Sequence, residues 1–476
     1  MAGDLGADLS RRLGQRPGEV RHGRHDHPGR DRRDRRGPDA QADLGRDHGR
    51  RRRPGAAGDR AADQAARRAA AGRGVPVSTV LTRPPAARDP RAPVETASLS
   101  LPLRRRTRGY DLPLVWSALA LGLIGAVLVW AATRGIQLRA GADPQAYLYR
   151  HLFNLTVAGV LMVAASRVNA RLLRLLGPAM YVASLLGLLA VFAVGSTING
   201  AHAWIVLGAG FQVQPSEFAK LGLVVGLAVL FTERAARRGE DGAPAGSDVL
   251  LALVVIAVPM GMVVLEPDLG STIVLGAAAL GVLVGAGVRA RWTVGLIALT
   301  AAVSVVAVKA GLLAPYQLAR FTSFLHPNHD PLGAAYNINQ AHIALANGGW
   351  FGTGLFAGPQ TNGGYVPEQQ TDFVFSVAGE EFGLLGCTVI IALFAVLCWR
   401  GLVIARMANR AGRIVAVGIV CWFALQAFQN IGMNLGLTPV TGLPLPFVSY
   451  GGSSMFAQGL AIGLLQAVRR LSVASA

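Results

Sequence analysis

DVLLALVVIAVPMGMVVLEPDLGSTIVLGAAALGVLVGAG, residues 248–287, decides the fold class. Between Val249 and Gly287 the only charged residues are Glu266 and Asp268, which flank Pro267. Each apolar run approaches the length needed to cross about 30 Å of hydrocarbon as a helix. Lipid offers backbone amides no water, so each run must satisfy its own hydrogen bonds and reads as a helix. The EPD between them leaves room only for a tight turn. The stretch is predicted to be a membrane-spanning helical hairpin.

The same pattern recurs on both sides of it. Apolar runs lie at about 112–133, 151–167, 177–196, 215–232, 248–265, 269–287, 292–311, 372–398, 412–435 and 447–468. The chain has 476 residues, 52% hydrophobic and only 15% charged, which excludes an ordinary soluble domain. The predicted fold is an all-α integral membrane protein with about ten transmembrane helices and a long outer loop between helices 7 and 8. Cys387, Cys398 and Cys421 fall in apolar runs without metal-type spacing and read as small buried hydrophobes.

Residues 1–103 form a different domain from 104–476. They are rich in Arg, Gly, Ala, Asp and Pro, and contain no Phe, Trp, Tyr or Lys. Such a segment cannot bury enough apolar surface to offset its ordering entropy and is predicted to be disordered. Residues 1–110 hold a net +13, whereas residues 111–476 carry +6. Interspersed acids and the lack of stacking aromatics argue against a nucleic-acid partner. No apolar core of a signal peptide is present. The composition break also raises the expectation that the start codon is misassigned, which peptides from residues 1–70 would disprove.

Orientation follows from Lys and Arg in the connections. With the N-terminus in the cytoplasm, 18 basic residues lie on the inner side and 5 on the outer. A multi-pass protein of the cell membrane with both termini cytoplasmic is expected. This places the long connection 312–371, and Asp372 after it, on the outer face. Long connections are commonly functional. Residues 334–347 have the spacing of an amphipathic helix ended by Gly348-Gly349. The glycine-rich stretch that follows is either a close-approach surface or a flexible linker.

Asp372 allows two readings. Thr371-Asp372 before an apolar run is an ordinary helix cap; a carboxylate at a membrane surface is also suited to take a proton. Glu217 and Lys220, three apart on one helix face, form either a buried ion pair or a pair shaping the space below Asp372, and both are counted as candidate substrate-binding residues. Arg320 and Lys309 are either snorkelling cations or candidates to hold phosphate, which Arg grips bidentately. Asp268 reads as a helix cap, with metal or substrate contact as the alternative. Glu380 and Glu381 read as structural hydrogen-bonding groups. TPVTGLPLPFVSYGGSSMFAQG (438–459) looks like a broken re-entry, and its Ser449, Ser453 and Ser454 are candidates to hydrogen-bond sugar or phosphate. None of the histidines is spaced to activate these serines as nucleophiles.

Five motifs, in order, resemble one family: QPSEFAKL (214–221), EPDLGSTIVL (266–275), FLHPNHDPLGAAYNINQ (324–340), VPEQQTDFVFSVAGEEFGLLG (366–386) and NIGMNLGLTPVTGLPLPFVSYGGSS (430–454). The chain resembles the SEDS family, the RodA, FtsW and SpoVE proteins of bacterial cell-wall synthesis, over about residues 108–470. GPQTNGGYVPEQQ before TDF is more similar to RodA, the elongation type, than to FtsW. The resemblance implies a peptidoglycan glycosyltransferase that polymerises lipid II at the outer face of the cell membrane, with Asp372 catalytic and Glu217 and Lys220 functionally important. It implies a class B penicillin-binding protein as transpeptidase partner, further elongation-complex proteins, and a divalent cation, Mg or Mn, as a candidate for the diphosphate. Alternatives are a lipid II flippase, a division-type FtsW-like polymerase, or a scaffold for the transpeptidase. His202-Ala203 before Trp204, and Ala341 and Asn347, depart from the family pattern and weaken transfer of detailed contacts.

Overall fold

The structure is a computed structural model, and it describes residues 109–198, 201–208, 211–239, 242–311, 315–325 and 335–475. The predictions for the 1–103 tail lie outside these residues. The described chain folds as α1 (Leu112–Arg139), α2 (Ala146–Ser166), α3 (Ala170–Val194), β1 (Ser196–Ile198), β2 (Ala201–Gly208), β3 (Phe211–Val213), α4 (Pro215–Arg238), α5 (Gly246–Leu265), α6 (Leu269–Gly285) and α7 (Ala290–Lys309). There follow α8 (Pro315–Leu325), α9 (Tyr336–Gly348), α10 (Pro359–Gly363), α11 (Val374–Met407), α12 (Arg410–Asn434) and α13 (Gly452–Ser475).

Ten of these helices, α1–α7 and α11–α13, fall on the ten predicted runs. Among the described residues eight are long and apolar enough to cross a membrane unaided. The other two are α6, with 17 residues, and α13, whose apolar face is interrupted by Gln458, Gln466, Arg469 and Arg470. The last run was placed from 447, but α13 begins at Gly452. Pro439, Pro444 and Pro446 withhold amide donors, so residues 438–451 cannot continue a helix.

A three-stranded antiparallel sheet, order β1-β2-β3, is the element the all-α expectation missed. Its signal was present. In sequence Asn199-Gly200 is a strong hairpin dipeptide, and Ile198 pairs with Ala201. The run was too short and too apolar to separate from a helix end by periodicity.

Helices α4 and α12 form the centre, each packed on several neighbours, whereas α7 has no buried residue and lies at the periphery, touching the core through the partly buried Leu296. Close crossings use small residues, as membrane helices do in the absence of a hydrophobic drive between them. Gly459 and Gly463 of α13 face α2. A Cβ at either would come within 2.5 Å of the Ala158 oxygen or 2.4 Å of the Met162 oxygen.

Helix α11 is broken at Gly383, whose φ of 64° and ψ of −161° are not helical. The break frees backbone groups, and the glycine-rich stretch after α9 meets them. Thr353 and Gly354 amides donate to the Glu380 and Glu381 carbonyls, and Leu384 and Leu385 amides donate to the Gly349 and Trp350 carbonyls. That stretch is therefore not a free linker. It completes a broken helix, which lipid would not tolerate otherwise. At the opposite end of the bundle Asp111 caps α1 and pairs with both Arg400 and Arg469, joining α1, α11 and α13.

Candidate active site

The residues around Asp372 exclude one of its two readings, the helix cap. Helix α11 starts at Val374, and its N-cap, Phe373, supplies no side-chain bond. The Ser376 amide is instead satisfied by Asn434 Oδ1, 3.0 Å away. Asp372 is not the cap. Its backbone is pinned from three directions. The Gln370 carbonyl accepts from the Tyr450 amide, the Thr371 carbonyl from Ser449 Oγ, and the Asp372 carbonyl from Asn430 and Asn434 Nδ2 at 2.8 and 3.1 Å. Three successive carbonyls are thus fixed by residues of α12 and the proline-rich segment before α13. The Asp372 carboxylate is left to face a cavity.

That cavity measures about 800 Å³ and opens at the end of the bundle that carries the long connection. Its wall includes Asp372, Glu368 and Thr371, Arg320 of α8, Glu217 of α4, Asp268, Arg150 and Asn154 of α2, Ser453 and Ser454, and the 439–444 turn. Asp372 and Arg320 converge on Gly442, which sits at a φ of +69°. A Cβ there would lie 3.4 Å from Asp372 Oδ2 and 4.0 Å from Arg320 Nη1. Glycine both permits that backbone and keeps the gap between acid and cation open.

Asp372 is partly exposed on the cavity wall, yet the protein around it removes most of the water that would stabilise its charge. This desolvation, with the nearby Glu368 charge, pushes the carboxyl up to about 7, while Arg320 pulls the other way. A base that titrates near neutrality is well matched to proton transfer.

The other predicted residues divide into wall and support. Arg320, Glu217, Ser453 and Ser454 line the cavity; Lys220 and Ser449 do not. Direct substrate contact is therefore corrected for these two. Lys220 is fully buried, 2.8 Å from Glu217, 3.4 Å from Gln426 Oε1 and 5.1 Å from the Trp422 ring centre. It faces inward because a membrane interior accepts an ammonium only when paired. Glu217 keeps Oε2 without a hydrogen bond to any described residue. Removing one partner strands the other, so Lys220→Met is expected to destabilise the fold by roughly 3–5 kcal/mol. Adding Glu217→Gln should recover much of the lost thermal stability. A double variant no more stable than Lys220→Met would show that the two do not act as a pair.

Ser449 donates to the Thr371 carbonyl and accepts from the Leu445 amide, so it positions the segment before Asp372. Ser453 ties Gln212 and Gln214 to α13, at 2.9 and 3.1 Å. Ser454 donates to Gly451 at 3.3 Å. Asp268 caps α6 through Ser271, as read from sequence, and also accepts from Gln214 Nε2 on the cavity wall. Glu266 is fully buried with neither carboxyl oxygen hydrogen-bonded to a described residue, and desolvation, aided by Asp268, raises it to about 8. Lys309 is exposed at the end of α7 and is absent from the wall.

Glu380, one of the two carboxylates inside α11, is the main structural latch. It accepts from Asn347 Nδ2, the Gln360 amide, the Thr361 amide and Thr361 Oγ1, at 3.2, 2.9, 2.7 and 2.6 Å. Glu381 is buried beside it, with the Phe356 backbone close to its carboxyl. Sequence reasoning also passed over Asn430 and Asn434. Two amides four apart in a spanning helix were a signal that they served something buried.

The model of the FtsW/RodA/SpoVE family, described as a cell cycle protein, matches residues 112–473. This chain belongs to that family. Among its relatives, a "Probable peptidoglycan glycosyltransferase FtsW" of Thioalkalivibrio sulfidiphilus is 37% identical over 78% of this chain and 92% of its own length. A protein of the same name from Methylococcus capsulatus is 37% identical over 77% of this chain and 91% of its own. Of solved structures, a chain of a peptidoglycan synthase complex, described as coordinating polymerization and crosslinking, is 32% identical with a TM-score of 0.62, covering 76% of this chain and 98% of that one. Thermus thermophilus rod shape determining protein RodA is 31% identical with a TM-score of 0.55, over 76% and 97%. In this FtsW/RodA/SpoVE member four of the five motifs quoted from the sequence contribute much of the cavity wall: 214–217, 267–273, 368–372 and 439–454 each supply residues.

Proposed function

We propose that the protein is a peptidoglycan glycosyltransferase that joins lipid II into glycan strands, with Asp372 as general base. The observation that carries this is the pairing of Asp372 and Arg320 across the gap at Gly442, on the wall of one large cavity. A sugar hydroxyl placed in the gap attacks the anomeric carbon of a lipid-linked sugar, and its proton passes to Asp372. The new glycosidic bond forms as the carbon–oxygen bond to diphosphate breaks, and the electron pair leaves on the diphosphate. Arg320 offsets the charge that develops there. Glu217, Ser453 and Ser454 are further wall groups for the sugar and diphosphate.

No cluster of three or more His, Cys, Asp or Glu suited to a metal occurs among the described residues. A Mg or Mn ion would instead be held by one or two of the cavity carboxylates Asp372, Glu368 and Asp268 together with the substrate diphosphate, a mode common for Mg. Bound there it would neutralise leaving-group charge.

The names of the relatives favour a division role over the elongation role expected from GPQTNGGYVPEQQ. We adopt division as the reading, with a class B penicillin-binding protein as partner and no nucleic acid. The Arg bias supports both termini in the cytoplasm and the cavity at the outer face of the cell membrane.

The test supplies purified full-length protein, with its cognate transpeptidase, with lipid II in detergent. Glycan ladders are expected, and none with Asp372→Asn. Movement of lipid II across liposomes without polymer would replace this reading by transport. An inert protein that still binds the transpeptidase would replace it by scaffolding.

A further inference from the structure

The cavity holds one more cation than the chemistry at Asp372 uses. Among the described residues only two cations line it, Arg320 and Arg150. Arg150 is on α2. Its guanidinium lies 5.7 Å from the centre of the Tyr147 ring and beside the Tyr450 hydroxyl. Tyr147 and Tyr450 stack edge to face at 5.1 Å. Tyr450 in turn donates its amide to Gln370, two residues before Asp372. No carboxylate among the described residues pairs with Arg150. One helical turn on, Asn154 is only 7% exposed, lines the same cavity, and its amide makes no hydrogen bond to a described residue. Gly452 leaves it open: a Cβ there would come within 3.5 Å of Asn154 Oδ1.

A buried unpartnered amide one turn from an uncompensated guanidinium is an arrangement that calls for a ligand. An amide alone would take many polar groups, but beside an Arg fork the match is a phosphate-bearing one. We propose that Arg150 and Asn154 form a second diphosphate subsite, which holds the intact diphosphate of one lipid-linked sugar while that of the other departs beside Arg320. The inference rests on the glycosyltransferase reading and deepens it. When two lipid-linked sugars are joined, one diphosphate leaves and the other must survive. The survivor has to be held away from Asp372 while its sugar hydroxyl reaches that residue. Tyr147 and Tyr450 orient Arg150 for this, and the Tyr450–Gln370 bond links the two subsites.

The test counts lipid II molecules bound to full-length Asp372→Asn protein in phosphatidylcholine nanodiscs by native mass spectrometry. Two are expected. Arg150→Ala and Asn154→Ala, each in that background, should leave one tight site and weaken the second by roughly ten-fold or more. Arg150→Lys, which keeps charge but loses the fork, should fall between. In otherwise unsubstituted protein, Arg150→Ala should raise the KM for lipid II with an unchanged melting temperature. A single bound lipid II in the parent, or two of unchanged affinity after Arg150→Ala, overturns the subsite. So does equal displacement by phosphatidylglycerol, which would make it a general headgroup site. If the unsubstituted protein makes polymer while Arg150→Ala binds normally, the subsite alone fails. No polymer and no bound lipid II would remove the function beneath it.

Discussion

Asp372→Asn protein is expected to fold, bind lipid II and make roughly 10²–10⁴-fold less glycan, the range lost with a positioned general base. Activity of the unsubstituted protein should rise with pH through about 7, because only the deprotonated carboxylate accepts a proton and desolvation holds it there. Neighbours set the midpoint. Glu368→Gln removes a like charge and should move the limb to lower pH; Arg320→Lys keeps the opposing charge and should move it less than Arg320→Ala, which shifts it upward. Stability should follow the opposite course. The folded carboxyl titrates near 7 and the unfolded one near 3.8, so between these values the unfolded chain alone is charged. Stability therefore declines as pH rises through that window. Asp372→Asn, having no charge to desolvate, should melt higher than the parent above pH 7. A pH–rate profile unmoved by Glu368→Gln and Arg320→Ala would remove Asp372 as the titrating base.

Glu380→Ala is expected to lose nearly all activity without touching the cavity. The carboxylate gathers four donors from α9 and α10 onto α11. Without it the Gln360 and Thr361 amides and the Thr361 hydroxyl are left unpaired in a buried place, a penalty of roughly 1–3 kcal/mol for each donor. The damage should travel along the chain. Thr361 O accepts from Gln369 Nε2 at 3.0 Å, and Gln369 lies three residues before Asp372. Glu380→Gln offers one oxygen and one amino group to donors that need two oxygens, so it should be intermediate in melting temperature and activity. Limited proteolysis at 349–366 gives the independent reading: the loop should be cut faster in Glu380→Ala. Unchanged proteolysis together with lost activity would point to direct participation by Glu380.

Much of this protein was legible in particular residues. The Val249–Gly287 hairpin specified two helices because apolar length and the absence of water leave the backbone no alternative. The α9 helix was legible from its spacing, although which face is buried was not: Ile343 is 43% exposed while Ala341 and Ala344 are buried. The sheet was not, since Ala201–Gly208 is one apolar run whose pairing depends on neighbours on both sides. Ser449 and Lys220 were read as contacts because a motif shows which residues matter and not the direction in which each one points.

Hydropathy and residue type by themselves determined the membrane class, the helical runs, and a carboxylate at the end of a long connection. These properties are local: each residue's preference for lipid, water or a helix acts over a few neighbours. Whether Asp372 caps a helix or faces a cavity was settled only in three dimensions. The deciding partner, Asn434, stands 58 residues from the amide it satisfies. The same holds for the gap at Gly442 and the latch at Glu380, because hydrogen bonds and open space between distant segments exist only once the chain has packed.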